Sequence, residues 1–163
     1  MKKLIVVLII ITGIHSIGQE LPTNPENGFT FPIGSKFTIK MYPIDSVHFN
    51  YSIVDFEVYD EILPTWENDS LFSKKENDET IEFYFGIGTH GETEKEREEN
   101  MKVLLMFKNF TDHSLSYSSD IQREENGEFE ETSNVGTYTG AKGTEMWPYM
   151  IYTIGLSDFK ELE

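Results

Sequence analysis

The sequence has 163 residues, with 29 acidic and 13 basic side chains, a net charge of −16 and no cysteine. The absence of cysteine excludes disulfides, zinc sites built on thiolates and a cysteine nucleophile. The negative charge repels phosphate backbones and anionic lipids, so we expect no nucleic-acid partner.

Residues 1–18 have the pattern of a cleaved secretory signal peptide. Two lysines follow Met1, residues 4–11 are all apolar, and small side chains stand at positions 16 and 18, where signal peptidase requires them. The apolar run is shorter than the ~20 residues of a membrane span, and no cysteine follows it for lipid attachment. We therefore predict cleavage before Gln19 and export to the periplasm or the extracellular space, with no membrane span afterwards.

The first part of the mature chain is predicted to be a proline-rich lead-in followed by strands. Residues 19–34 contain three prolines and are interpreted as a lead-in with an extended edge. Residues 36–41 alternate apolar and polar side chains, as a half-buried strand does. Residues 47–58 also alternate, but the apolar positions shift by one at Val54. The shift predicts a bulge or a passage between sheets, after which the apolar face consists of Val54, Phe56 and Val58.

The second part of the chain is predicted to be rich in short strands, after a polar loop at residues 61–79. A strand beginning at Ile81 is expected to stop at Gly86 and Gly88. Residues 92–100 are charged and free of apolar side chains, which predicts a solvated helical turn or a mobile loop. The remaining predicted strands are residues 101–108, buried on both faces, 115–121, 128–132 and an aromatic strand at 146–156.

This pattern predicts an all-β fold. Seven or eight short strands separated by turn residues are typical of an antiparallel sandwich or barrel. We expect a single domain over residues 35–163.

Two stretches resemble immunoglobulin-like sandwiches of exported bacterial proteins. The first is an apolar strand, Val103–Lys108, with an Asn-x-Thr corner at Asn109 and a Leu-x-Tyr strand from Leu115. The second is the glycine-rich turn GAKGTEMWP at residues 140–148. The resemblance covers about a third of the chain and implies an antiparallel immunoglobulin-like β-sandwich. Because a fold of this kind serves many functions, the resemblance implies no particular chemistry.

A second, shorter resemblance is to the Asp-Ser-aliphatic acceptor for O-glycosylation in some Gram-negative bacteria. It occurs at Ser46, in Asp45-Ser46-Val47, and at Ser70, in Asp69-Ser70-Leu71. A plain turn also explains either tripeptide.

Three histidines of the mature chain are the candidates for acid–base chemistry. His48, His90 and His113 would have to meet carboxylates in a cleft for the chain to act as a small hydrolase. Asp112 and Ser114 flank His113, but adjacent residues of a turn point in different directions and do not form a relay among themselves.

A metal site is not expected, although one segment has suitable ligand types. His90, Glu92 and Glu94 are spaced by two, so an extended backbone would place their side chains on one side. A flexible acidic segment rarely holds such groups in a fixed geometry. We therefore predict no cofactor.

The aromatic side chains Trp66, Trp147 and Tyr149 are the candidate ligand-binding residues, because exposed rings offer contact area at low entropic cost. The sequence thus favours an exported, non-enzymatic binding module whose partner is a protein or glycan of the cell envelope. The alternatives are an inhibitor or immunity-type protein that uses its acidic surface against a basic enzyme cleft, and the small hydrolase.

Overall fold

The computed structural model describes residues 21–73 and 78–162. These residues form an antiparallel sheet of ten strands that is curled into a half-barrel, with one short parallel pair, β4 beside β5. The strands are β1 (Gly28–Pro32), β2 (Ser35–Pro43), β3 (His48–Val58), β4 (Leu63–Pro64), β5 (Thr80–Thr89), β6 (Lys102–Asn109), β7 (Leu115–Gln122), β8 (Phe129–Thr132), β9 (Lys142–Trp147) and β10 (Thr153–Glu161). A 3-10 turn at Asp69–Leu71 and the helix α1 (Glu94–Glu99) complete the elements.

The strand order confirms the all-β, antiparallel prediction and corrects the predicted number of strands. The order is β8-β7-β10-β3-β2-β5-β6-β9, with β1 paired to β10 and β4 to β5. Because the ten described strands belong to one sheet, the two-sheet immunoglobulin-like arrangement is not confirmed. The predicted signal peptide, residues 1–18, lies outside the described residues. Within the predicted lead-in, Gly28–Pro32 forms β1.

Strand β3 contains the predicted bulge. In its pairing with β2, Asp55 lies opposite Thr38 and Ile53 opposite Ile39, so Val54 is the extra residue. The prediction for the face after the bulge was partly wrong. Phe56 packs against the core, but Val54 and Val58 are exposed, since the unpaired residue points away and the strand leaves the core beyond Phe56.

Strands β5 and β6 are buried on both faces. Their inner side chains join the main core, whereas Tyr84, Leu104 and Met106 form a second cluster outside, beneath Leu71 and Phe72. The segment that was predicted to be a polar loop thus covers the outer face of these two strands.

The prediction that Gly86 and Gly88 end β5 was wrong. The strand continues to Thr89. A Cβ at Gly86 would lie 2.3 Å from the Tyr84 hydroxyl, and one at Gly88 would lie 2.0 Å from Leu104 Cδ1. The two glycines therefore make room for the outer cluster within the strand, a role that glycine has at close approaches in sheets.

The aromatic stretch predicted to be a single strand at residues 146–156 forms two strands that are not neighbours. β9 ends at Trp147, beside β6, and β10 begins at Thr153, between β7 and β1. Pro148 lies in the intervening bend, where its missing N–H costs no ladder hydrogen bond.

The two end strands of the sheet approach each other. The Trp147 indole N–H donates to Thr132 Oγ1 of β8 at 3.2 Å, and Glu145 of β9 accepts a hydrogen bond from the Val135 backbone N–H at 2.8 Å. Side chains thus link the ends of the half-barrel around a core that is largely aromatic. Its largest buried side chains include Tyr51, Phe31, Phe37, Phe83, Phe85, Phe107 and Phe159.

Candidate binding surface on the outer face

The three aromatic side chains predicted to bind a ligand lie in different environments. Trp147 is 6% exposed and uses its indole N–H within the fold, so it offers little surface to a ligand. Trp66 is 64% exposed and lies beside His90, with 6.2 Å between the ring centroids. Tyr149 is 37% exposed, and the Arg123 guanidinium lies 4.2 Å from its ring centre. The structure therefore supports Tyr149 as a member of a surface that the other two residues do not share.

Tyr149 borders a hollow of about 570 Å³ at the end of the half-barrel where β7 turns into β8. Phe129 and Met150, each 46% exposed, line the hollow with it. Three acidic residues, Glu124, Glu128 and Glu130, line the same hollow. We call this set, together with Arg123, the β8 surface.

The charges of the β8 surface are only partly balanced. Arg123 Nε lies 3.6 Å from Glu130 Oε1, and the same guanidinium covers Tyr149. Within residues 21–73 and 78–162, Glu124 and Glu128 have no ion-pair partner. The surface thus combines exposed apolar area with an excess of negative charge at its border.

A second hollow adjoins the first through Phe129. It is a groove of about 540 Å³ on the outer face of β1, β10 and β7. The remaining lining residues are mostly small or polar, apart from Phe29 and Leu156, and they are Gly28, Phe29, Thr30, Asp120, Gly155, Leu156 and Ser157. We call it the Gly155 groove.

The three candidate histidines are divided between the two ends of the sheet. His48 and His113 lie at one end, near the start of β3 and the start of β7, and His90 follows β5 at the other end. His48 Nδ1 lies 3.0 Å from Asp45 Oδ2, and His113 Nδ1 lies 2.7 Å from Glu161 Oε2.

Neither histidine–carboxylate pair contacts a hydroxyl nucleophile in the described structure. The Ser114 hydroxyl, next to His113, is instead 3.4 Å from Thr139 Oγ1 and accepts a hydrogen bond from the Thr139 N–H. The Asp45 carboxylate accepts hydrogen bonds from the backbone N–H groups of Val47 and His48, which lower its pKa to about 2. The His48–Asp45 contact lies in the turn between β2 and β3, and the His113–Glu161 contact joins the segment after β6 to β10.

Among the described residues, no three His, Asp or Glu side chains are placed where they could hold a metal ion. The extended backbone that would align His90, Glu92 and Glu94 does not form. Instead, Thr93 caps α1, which begins at Glu94, and the Glu96 carboxylate accepts hydrogen bonds from the N–H groups of Glu92 and Thr93. These hydrogen bonds form a capping box and lower the pKa of Glu96.

The two serines of the acceptor-like tripeptides are both exposed. Ser46 lies in the turn between β2 and β3, and Ser70 lies in the 3-10 turn. Their O-glycosylation stays a prediction.

Sequence analysis missed Phe129, Met150, Asp120 and Gly155. One signal was available, because Phe129 is a lone aromatic residue in the acidic run Glu128–Glu131 and follows the turn at Asn126-Gly127. A strand this acidic has no apolar face to bury, so its single aromatic side chain is expected to be exposed. The juxtaposition of Phe129 with Tyr149 and Gly155 depends on strand order, which the sequence pattern does not specify.

No helix in the described part of the chain combines the length and the apolar character that crossing a membrane requires. In comparisons with known proteins, no family model, no curated protein and no solved structure matches the chain.

Proposed function

We propose that the chain is an exported, non-enzymatic binding module of the cell envelope and that it binds its partner, a protein or a glycan, through the β8 surface. The observation that carries the proposal is the cluster of Phe129, Tyr149 and Met150, which are 37–46% exposed around one hollow. Clustered apolar side chains with a polar border are characteristic of interaction sites, whereas scattered ones are normal on any surface.

The aromatic part of the β8 surface is suited to supply most of the binding energy. Tyr149 is held by the Arg123 guanidinium above its ring, so little side-chain freedom remains to be lost on binding. Met150 is flexible and polarizable, which lets it fit the contour of a partner. Few side chains dominate the energy of a typical interface, and aromatic side chains are prominent among them.

Export of this module depends on the N-terminal segment, for which we expect removal of residues 1–18. The protein recovered from the periplasm or the medium of an expressing bacterial culture is expected to begin at Gln19, as read by mass spectrometry of its N-terminal peptide. Replacement of the apolar residues Val6 and Ile9 by aspartate is expected to retain the full-length chain in the cytoplasm, because an interrupted apolar run does not engage the export machinery. A full-length chain in the exported fraction would contradict the prediction.

Removal of the aromatic side chains of the β8 surface is expected to weaken partner capture strongly. The immobilised mature protein would be incubated with envelope extract, and the bound proteins and glycans would be quantified. Phe129→Ala and Tyr149→Ala are each expected to weaken capture about 30-fold, which corresponds to about 2 kcal/mol for a side chain that dominates an interface.

The matched control is Ile44→Ser, which removes an apolar side chain that is 60% exposed at the other end of the sheet. Capture by this variant is expected to equal that of the wild type. Equal capture by all four proteins would refute the role of the β8 surface.

The acidic border favours a second candidate function, an inhibitor or immunity-type protein that binds a basic enzyme cleft. Glu124 and Glu128 have no ion-pair partner within the described residues and border the apolar hollow. Binding of this kind is steered by charge and weakens steeply with salt. Capture that disappears at high ionic strength and in Glu124→Lys would favour the inhibitor, whereas salt-insensitive capture would favour the aromatic contact.

A further inference from the structure

We infer that the Gly155 groove is a subsite for an uncharged pyranose ring, so that the partner of the proposed binding module is a neutral glycan. The inference rests on the proposed function, and it names the ligand class for the part of the outer face that Phe129 shares with the β8 surface. It follows from a glycine without a packing role, a carboxylate without a partner and an exposed aromatic wall.

Gly155 lies within β10 although nothing around it requires a glycine. The nearest atoms to an added Cβ would be Thr30 Cγ2 at 3.6 Å and Asp120 O at 3.7 Å, which are ordinary van der Waals distances. Its φ is not in the left-handed region. Gly155 is the only described glycine with neither a contact under 3.4 Å nor a positive φ.

Gly28, on the neighbouring strand, is the contrasting case. A Cβ there would meet Ser157 Cβ at 2.8 Å, so packing accounts for that glycine. A glycine inside a strand destabilises the strand relative to alanine, because glycine loses more backbone freedom on folding. At Gly155 no packing contact offsets this destabilisation. The effect of the missing Cβ is to deepen the groove.

Asp120 supplies the hydrogen-bond acceptor of the groove. It pairs with Gly155 across β7 and β10, and its side chain is half-buried. Within the described residues its carboxylate accepts no hydrogen bond and has no ion pair. A carboxylate offers about four acceptor sites, which suits the adjacent hydroxyl groups of a sugar ring. Thr30, on the other side of Gly155, also lines the groove and places its methyl group near the groove floor.

Phe129 supplies the apolar wall. It is 46% exposed and lines the groove from β8. A pyranose ring has one face of C–H groups and a rim of hydroxyls, so it can contact the ring of Phe129 while its hydroxyls reach Asp120. The groove, about 540 Å³ in volume, falls within the range of roughly 300–1,000 Å³ for small-ligand sites.

The negative charge of the protein determines which sugars the groove can bind. The chain carries a net charge of −16, and the neighbouring β8 surface is acidic. Uronic acids, sialic acids and sugar phosphates are therefore repelled, whereas neutral hexoses and N-acetylhexosamines are not.

The test is binding of the mature protein to immobilised oligosaccharides of glucose, galactose, mannose and N-acetylglucosamine, with polygalacturonate as the anionic counterpart. A neutral oligosaccharide is expected to bind, and polygalacturonate is not. Gly155→Ala is expected to weaken sugar binding at least about tenfold, because its methyl group fills the groove floor, while the melting temperature is unchanged or slightly raised. Asp120→Asn, which keeps the shape of the side chain, is expected to cost a similar factor through loss of the charge-assisted hydrogen bonds.

Ile44→Ser is the control, because Ile44 is 60% exposed in the turn between β2 and β3 and does not line the groove. Its sugar binding is expected to equal that of the wild type. Binding of no neutral oligosaccharide, or equal binding by wild type and Gly155→Ala, would overturn the inference. If envelope capture is still lost in Tyr149→Ala in that case, the proposed function stands with a protein partner. If capture is unaffected by both Tyr149→Ala and Phe129→Ala, the proposed function itself fails.

Discussion

Replacement of Tyr51 by phenylalanine is expected to lower the free energy of unfolding by about 2 kcal/mol. The Tyr51 hydroxyl accepts a hydrogen bond from the Phe29 N–H at 2.8 Å and donates one to the Leu156 carbonyl at 2.6 Å. Phe29 and Leu156 face each other in the pairing of β1 with β10. Without the hydroxyl, both backbone groups lose a partner inside the core, and each unsatisfied buried group costs about 1–3 kcal/mol. Urea-induced unfolding followed by circular dichroism measures the change.

Tyr117→Phe is the matched control for this prediction. Tyr51 and Tyr117 both pack against Phe159, with centroid distances of 5.3 and 5.0 Å. The Tyr117 hydroxyl is buried and has no hydrogen-bond partner among the described residues. Removing it is expected to leave stability unchanged or to raise it, since the desolvation penalty of the hydroxyl disappears. Equal losses in both variants would show that the Tyr51 hydrogen bonds are not the cause.

Alkaline pH is expected to unfold the protein steeply. Burial raises the pKa of Tyr51, Tyr84 and Tyr117 well above the ordinary value of 10.0. Below pH 10 both the folded and the unfolded chain keep these protons. Above it the unfolded chain releases them and the folded chain does not, so stability falls as pH rises towards the folded-state pKa values.

The free energy of unfolding is expected to fall steeply with pH. Each such phenol lowers the free energy of unfolding by about 1.4 kcal/mol per pH unit, so the three together lower it by about 4 kcal/mol per unit. The total free energy of unfolding of a typical domain is about 5–15 kcal/mol. Phenolate absorbance is expected to rise in a late step that coincides with loss of the circular dichroism signal. Tyr117→Phe is expected to reduce the slope by about a third, and an unchanged slope in that variant would contradict the assignment.

The sequence predicted those parts of the fold in which side-chain periodicity alone decides the outcome. The shift at Val54 correctly indicated a bulge, and the nearly continuous apolar run over residues 101–108 correctly indicated a strand buried on both faces, which is β6. Both features follow from local alternation, which requires no knowledge of neighbouring strands.

The errors arose where a residue's role depends on a distant partner. Gly86 was interpreted as a strand end because glycine commonly breaks strands, but the space above it is filled by the side chain of Tyr84. The stretch around Pro148 was interpreted as one strand because its apolar side chains alternate, whereas β9 and β10 pair with different neighbours. The candidate binding surface was missed for the same reason, since Phe129 meets Tyr149 and Gly155 only through the order of the strands.

The pairing of β1 with β10 joins segments that are far apart in the chain, since Gly28 lies opposite Ser157. The first strand therefore has no ladder partner until the last one has left the ribosome. Closing so long a loop is slow compared with the formation of local hairpins such as β2–β3. During synthesis the sheet therefore stays incomplete, and β1 remains without its ladder partner until β10 has emerged from the ribosome.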